Sequence, residues 1–272
     1  MKLNFQNKKV KLAIIILLIM LLVHSIVGSI SLKAFLNLTA LEIIVAGIFL
    51  SVIISFSFDT LIGTIKMIKL SFFHKIDYTT MIYKVHELSI KVKREGVLSI
   101  QSDIEEEEHT FLRDAMILLN DYKKPEAMRD ILEKDIASRR SNLYRAHNVL
   151  KMIAHISPSF GLIGTLLGLV GLLSNIHQTD LIMNNMASAL VSTLYGSLIA
   201  NFIAVPLMGR LKEYIDENIL QYSIITEGIL LISQNDTARN VFDKMNVMLK
   251  EDARLVYPRK KIGERNRESD EV

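Results

Sequence analysis

The 272-residue chain has no cysteine and no tryptophan, and only four prolines. The absence of cysteine excludes a disulfide framework and a thiolate-ligated metal site, and it suits a protein whose soluble parts face a reducing compartment. Its seven histidines are scattered without metal-ligand spacing, so no metal site is read. His24, alone in an apolar run, is expected to be a buried, hydrogen-bonded side chain. No glycine-rich phosphate loop follows a strand, and no catalytic constellation emerges, so neither an enzyme nor a cofactor is expected. The net charge is only +3, and its basic residues are dispersed, which argues against nucleic-acid binding.

Apolar residues make up 50% of the chain. They concentrate in four runs, 12–30, 40–58, 158–176 and 186–208, each about the length needed to cross a hydrocarbon core of roughly 30 Å. This pattern predicts an all-α integral membrane protein. Two transmembrane hairpins, 1–58 and 158–208, are expected to flank a helical domain at 59–157. A helical tail at 209–257 and a charged, disordered end at 258–272 follow. Lys8, Lys9 and Lys11 before the first run also suit a signal peptide. The run continues through Ile30 without a clear small-x-small cleavage site, however, and the second run follows closely, so a retained helix is read.

Lys and Arg fix the orientation, because they accumulate on the cytoplasmic side. Four precede the first run, one lies between the first two, sixteen lie between the second and third, none lies between the last two, and eleven follow. Both termini and the 59–157 segment are therefore expected in the cytoplasm. Within that segment apolar spacing predicts helices over 60–73, continuing the second membrane helix inward, and over 78–94, 97–119 and 125–156. Gly96 should close one helix, and Pro125 should open another. After the fourth run, helices are expected over 212–233 and 237–250.

The last two runs differ from the first two in their small residues. Gly161, Gly164, Gly168 and Gly171 fall on one helical face. Ser188, Ser192, Gly196, Ala200 and Ala204 form a four-residue ladder beside Ala189, Thr193, Ser197 and Asn201. Such faces let helix backbones approach closely where lipid supplies no hydrophobic reason to associate. Thr165, Ser192, Thr193, Ser197 and Asn201 can also line a wet path in which side-chain oxygens replace part of an ion's hydration. Hydroxyls satisfied by their own helix backbone are the plainer alternative. Neither run carries Asp, Glu, Lys or Arg, although ion pathways normally need an ionisable group. Glu42, near the outer end of the second run, is the only intramembrane carboxylate and reads as structural. Any ion-binding carboxylate must then come from another chain.

The stretch Ser157-Pro158-Ser159-Phe160-Gly161-Leu162-Ile163-Gly164-Thr165-Leu166-Leu167-Gly168-Leu169-Val170, with 189–196 and 201–206, resembles the third and fourth helices of MotA/PomA stator subunits. These subunits belong to the MotA/TolQ/ExbB superfamily. The likeness extends through the four-helix order and Arg94-Glu95-Gly96-Val97-Leu98-Ser99 to nearly the whole chain. Four helices point to the MotA branch, since ExbB and TolQ proteins have three.

The resemblance implies an inner-membrane homo-oligomer, a pentamer, around two chains of a MotB/PomB-like single-span partner that supplies the intramembrane Asp. Flow of Na⁺ or H⁺ would turn the ring against a FliG-like cytoplasmic rotor. It also implies coupling roles for Pro158 and Pro206, where a lost donor can kink a helix or simply end it. Thr165 and Thr193 match sodium-driven members, so sodium is the expected ion. Lys93 and Arg94 lie where the family presents a basic rotor contact, whereas Gln101 stands where the family commonly has Glu. Asp103 and the run 105–108 can supply acid nearby, though such a run also reads as a solvated face. The alternative is an energiser of the ExbB/TolQ type serving envelope transport or another non-flagellar system.

Overall fold

The computed structural model describes residues 36–73, 76–121, 124–174 and 179–258, with scattered positions between 13 and 24. Every described element is helical: α1 (Leu38–Ser55), α2 (Phe58–Phe73), α3 (Tyr78–Glu95), α4 (Gln101–Glu106), α5 (Thr110–Asp121), α6 (Pro125–Ser174), α7 (Thr179–Leu198), α8 (Val205–Ser233) and α9 (Ala238–Val247). A π-helical turn (Ile199–Ala204) joins α7 to α8, and 3₁₀ turns occupy Val97–Ile100 and Glu251–Ala253. Most of the expected first span, 12–30, and the end beyond Pro258 lie outside the described residues. His24 is described and is exposed rather than buried, as are Leu17 and Leu21.

Contacts divide the chain into two units, residues 1–61 with 148–208 and residues 62–147 with 209–272. In the first unit Asn37 caps α1 by accepting the Ala40 amide at 3.0 Å. Ala40, Ile44, Ile48 and Val52 then recur every four residues and bury one face of α1 in a small core with Val149 and Tyr195. Three described helices are long and apolar enough to cross a membrane: α1, the apolar part of α6, and the stretch from Leu181 to Ser233. Only 22%, 17% and 22% of their most apolar windows are buried, which leaves the rest for lipid or other chains.

The second unit has its own hydrophobic core. Ile82 and Val85 of α3, Phe111 and Leu112 of α5, Ile225 and Ile229 of α8, and Phe242 and Met245 of α9 are all buried in it. Each such side chain contributes about 1.5–3 kcal/mol. Asp77 caps α3 by accepting the Thr79 and Thr80 amides, and Gly96 ends it at φ +87°, a conformation that favours glycine. Pro125 is the first residue of α6, as expected.

Four features depart from the sequence expectation. The 60–73 helix does not continue the second span, because Phe56 turns extended and the Ser57 hydroxyl engages Thr60 at a fresh helix start. The expected 97–119 helix breaks at 107–109, where the Glu107 carboxylate accepts the His109 amide at 2.8 Å and His109 Nδ1 accepts the Leu112 amide at 3.2 Å. Glu107 is therefore not part of a solvated run: it is only 4% exposed and meets the Lys84 ammonium at 2.6 Å. Finally, neither membrane proline ends its helix. α6 runs unbroken through Pro158, and helix α7 already begins at Thr179.

Candidate functional site at the α6–α7 seam

The glycine face of α6 lies directly on the small-residue face of α7. A Cβ built on Gly196 would stand 2.5 Å from the Ser157 carbonyl oxygen and 3.0 Å from Gly161 Cα, so the two backbones touch with no room for a methyl group. One turn along, a Cβ on Gly164 would meet Ser192 Cβ and Oγ at 2.6 Å. A further turn along, one on Gly168 would meet Ala189 Cβ at 2.6 Å. Gly171 faces Asn185. The glycines thus act as a packing face, with dispersion contacts made backbone to backbone.

Thr165 and Thr193 meet across this seam with their hydroxyl oxygens 2.5 Å apart. Thr165 Oγ1 also lies 3.0 Å from the Ala189 carbonyl and 3.2 Å from the Gly161 carbonyl, both of which can only accept. A hydroxyl has one proton and two lone pairs. The Thr165 proton is drawn to the carbonyls, so Thr193 donates to Thr165. That direction leaves the exposed Thr193 oxygen able to accept.

The remaining candidates take different positions. Ser192 is fully buried beneath Gly164 and donates to the Ser188 carbonyl at 2.8 Å. Ser197 is half-buried, and its carbonyl accepts from the exposed Asn201 amide at 3.0 Å. Asn201 sits in the π turn. There Pro206 has no N–H to give Phe202, and the Val205 amide instead bonds the Ala200 carbonyl, one residue further back than an α-helix would reach. Ala200 and Ala204 stay buried through this wider turn. At Pro158 the α-helix continues, and the Ser157 hydroxyl donates to the Ile153 carbonyl.

A polar cluster that periodicity did not single out ties α1 to α7. The Asn37 amide N–H donates to the Tyr195 hydroxyl at 3.3 Å, and the Ser188 hydroxyl donates to Asn37 Oδ1 at 3.3 Å. The only sequence signal for it was an Asn immediately before an apolar helix. Glu42 is exposed on α1, and no Asp, Glu, Lys or Arg occurs between Leu181 and Met208.

In the second unit Lys93 and Arg94 are exposed in the last turn of α3, where positive charge is favourable. Lys93 Nζ donates to the Asp236 carbonyl at 3.3 Å. Hydrogen bonds from the Asn240 side chain and the Thr237 amide lower the pKa of the exposed Asp236 carboxyl. Gln101 is exposed and bonds Glu105 and Asn120 at 3.4 Å. Asp103 pairs with Lys91 at 2.6 Å.

Residues 103–224 match the model of the MotA/TolQ/ExbB proton channel family. The chain is 30% identical over 216 residues to the uncharacterized protein YtxD of Bacillus subtilis, covering 79% of each protein. It is 32% identical over 180 residues to Motility protein A of Borreliella burgdorferi, covering 65% of this chain and 69% of that protein. Its fold is that of the solved structure of C. jejuni MotAB, with a TM-score of 0.80 and 20% identity over 91% of this chain and 97% of that one.

Proposed function

Since this chain belongs to the MotA/TolQ/ExbB proton channel family, we propose that it is a stator subunit of the bacterial flagellar motor, converting ion flow through a shared channel into torque. The observation that carries this reading is the α6–α7 seam. Two helices pack backbone to backbone and display hydroxyls, yet neither 158–174 nor 181–208 holds an Asp, Glu, Lys or Arg. Such a surface can pass an ion only beside a carboxylate from another chain. A MotB/PomB-like single-span partner with an intramembrane Asp supplies it. The names of the relatives, Motility protein A and MotAB, support this reading over an ExbB/TolQ-type energiser.

In this arrangement the chain spans the inner membrane four times, the 12–30 run being the first span, and both termini are cytoplasmic. Several copies, five in the family's pattern, ring two partner chains. Pro158 and Pro206 link movement at the seam to the cytoplasmic helices. Lys93 and Arg94, with Gln101 and Asp103 nearby, face a FliG-like rotor. Because Asp103 is already paired with Lys91, the basic pair dominates that contact.

The coupled ion is Na⁺ in this reading. A desolvated Na⁺ needs oxygen lone pairs, and the exposed Thr193 oxygen keeps two to offer once its proton is given to Thr165. A proton relay would instead need a hydroxyl free to donate. The test is rotation of tethered cells carrying this chain and its partner, with Na⁺ exchanged for K⁺ at constant pH. Rotation should stop. Undiminished rotation in K⁺ would remove Na⁺ coupling, and failure to copurify with any single-span protein would remove the stator reading itself.

A further inference from the structure

The last described residues of the chain form a strap laid across α3 and α9. The Asn246 side chain holds both backbone groups of Leu255, accepting its amide at 2.8 Å and donating to its carbonyl at 2.9 Å, as a neighbouring strand would. Tyr83 of α3 donates to the Val256 carbonyl at 3.0 Å. Tyr257 packs edge-on against His86 and Phe242, with the Arg239 guanidinium 4.2 Å from its ring centre. The chain beyond Pro258 therefore starts from a fixed point on these two helices.

Beside Tyr83 on α3 lies an open cavity of about 250 Å³, walled by α3 on one side and by α4 and α5 on the other. Val85, Leu88, Leu112 and Met116 supply its apolar lining. Lys84 pairs with Glu107 and Lys91 with Asp103, each at 2.6 Å, so these four charges balance. The surplus is acidic. Glu87 lines the same cavity, and Glu105, Glu106 and Glu108 are exposed on either side of Glu107 in the chain.

We propose that residues 259–264 of this same chain dock in that cavity, with Ile262 among its apolar side chains and Arg259, Lys260 and Lys261 against the acidic rim. Three observations select this occupant. Ile262 is six residues beyond Val256, which Tyr83 holds, so it lies within about 20 Å of that point, while Lys84 adjoins Tyr83 and Glu87 is one turn along α3. Ile262 is also the only large apolar side chain between 259 and 271, so it alone in that stretch can fill an apolar space. Finally, the three cations that precede it complement the surplus acid of the rim. A tether this short keeps the segment at an effective concentration of about millimolar, ahead of an untethered competitor of like chemistry.

The natural absence of cysteine makes the test direct. Ile262→Cys is paired with Leu88→Cys in the cavity or, as a control, with Val247→Cys, an exposed position next to the strap's anchor Asn246 and also within reach. The full chain in its purified complex is oxidised, and the linked peptides are identified by mass spectrometry. The 262–88 disulfide should form within one chain several-fold faster than the 262–247 disulfide, and Lys260→Glu with Lys261→Glu should slow it several-fold. Equal rates for the two pairs overturn the proposal. So does a 262–88 link that joins two chains, since the segment of a neighbouring copy then fills the cavity. A rate unchanged by the lysine substitutions overturns the charge contact. Hydrogen exchange supplies a readout with the cavity residues intact: Ile262→Asp should raise exchange at the amides of α4 several-fold over the unsubstituted chain, and equal exchange in the two overturns the docking. None of these readouts depends on the coupled ion or on a rotor.

Discussion

Substituting Gly164 by Ala separates steric from intrinsic effects at the seam. The new Cβ would lie 2.6 Å from both Ser192 Cβ and Oγ, against an ordinary carbon–carbon contact of about 3.5–4.0 Å, so the helices must part by about 1 Å. Overpacking of this kind costs about 1–3 kcal/mol. Ala also gains about 1 kcal/mol over Gly inside a helix, which must be subtracted. Gly209→Ala in α8 supplies that reference, since nothing lies within 4 Å of its Cβ and only the propensity gain applies. Calorimetry of the purified complexes should therefore show Gly209→Ala melting slightly higher and Gly164→Ala lower, with a Tm difference of ~2–4 °C per kcal/mol of overpacking. Adding Ser192→Gly removes both clashing atoms and leaves only Cα, at 4.0 Å. The double variant should recover most of the loss. Gly196→Ala should admit no such rescue, because its clash is with the Ser157 backbone carbonyl. If Gly164→Ala melts like Gly209→Ala, or if Ser192→Gly does not restore it, the seam is not packed as described.

Further outcomes follow from the second unit. Burial lowers the pKa of His86 below its ordinary 6.5, with Glu87 acting in the opposite direction, while its ring contacts Phe242 and Tyr257 and its Nε2 lies 3.3 Å from the Tyr257 hydroxyl. The unfolded chain then binds the proton more readily, so stability should be full above about pH 6.5 and fall as pH drops below it. His86→Leu should flatten that slope in melts recorded across the window. Arg139 pairs with Asp114 at 2.7 Å and Asp135 at 2.9 Å and lies 5.3 Å from the Phe111 ring centre, so Arg139→Lys should lose the planar fork and stacking and about 1 kcal/mol in denaturant unfolding. Lys93→Glu with Arg94→Glu should slow rotation while the complex assembles in normal yield; unaltered swimming speed would place the rotor contact elsewhere.

Periodicity was sufficient where a single face decides the structure. The helical class, the Gly96 terminus, the Pro125 start and the glycine face of α6 were all legible, because each depends on local spacing or on one residue's backbone preference. The family's motif pointed to Thr165 and Thr193, but only the coordinates bring their oxygens together and assign the direction of the proton. What escaped was set by tertiary partners. Glu107 reads as one acid in a row of four until Lys84 and the His109 amide are brought to it. Asn37 reads as a cap until Tyr195 and Ser188 arrive. Pro158 and Pro206 read as helix ends, since sequence cannot say whether neighbouring packing will carry a helix past a missing donor.

The π turn at Ile199–Ala204 has a consequence for how the ladder of small residues keeps its aim. In an α-helix every fourth residue drifts by about 40° around the axis, so a line such as 188, 192, 196, 200 and 204 would rotate away from its neighbour. A wider turn uses up more residues per revolution and winds that line back, which is why Ala200 and Ala204 still look inward. The surplus amounts to a single residue. Removing one amino acid between 199 and 204 would leave sequence similarity almost untouched, yet swing every side chain beyond it by about 100°, so a one-residue gap here outweighs several substitutions elsewhere.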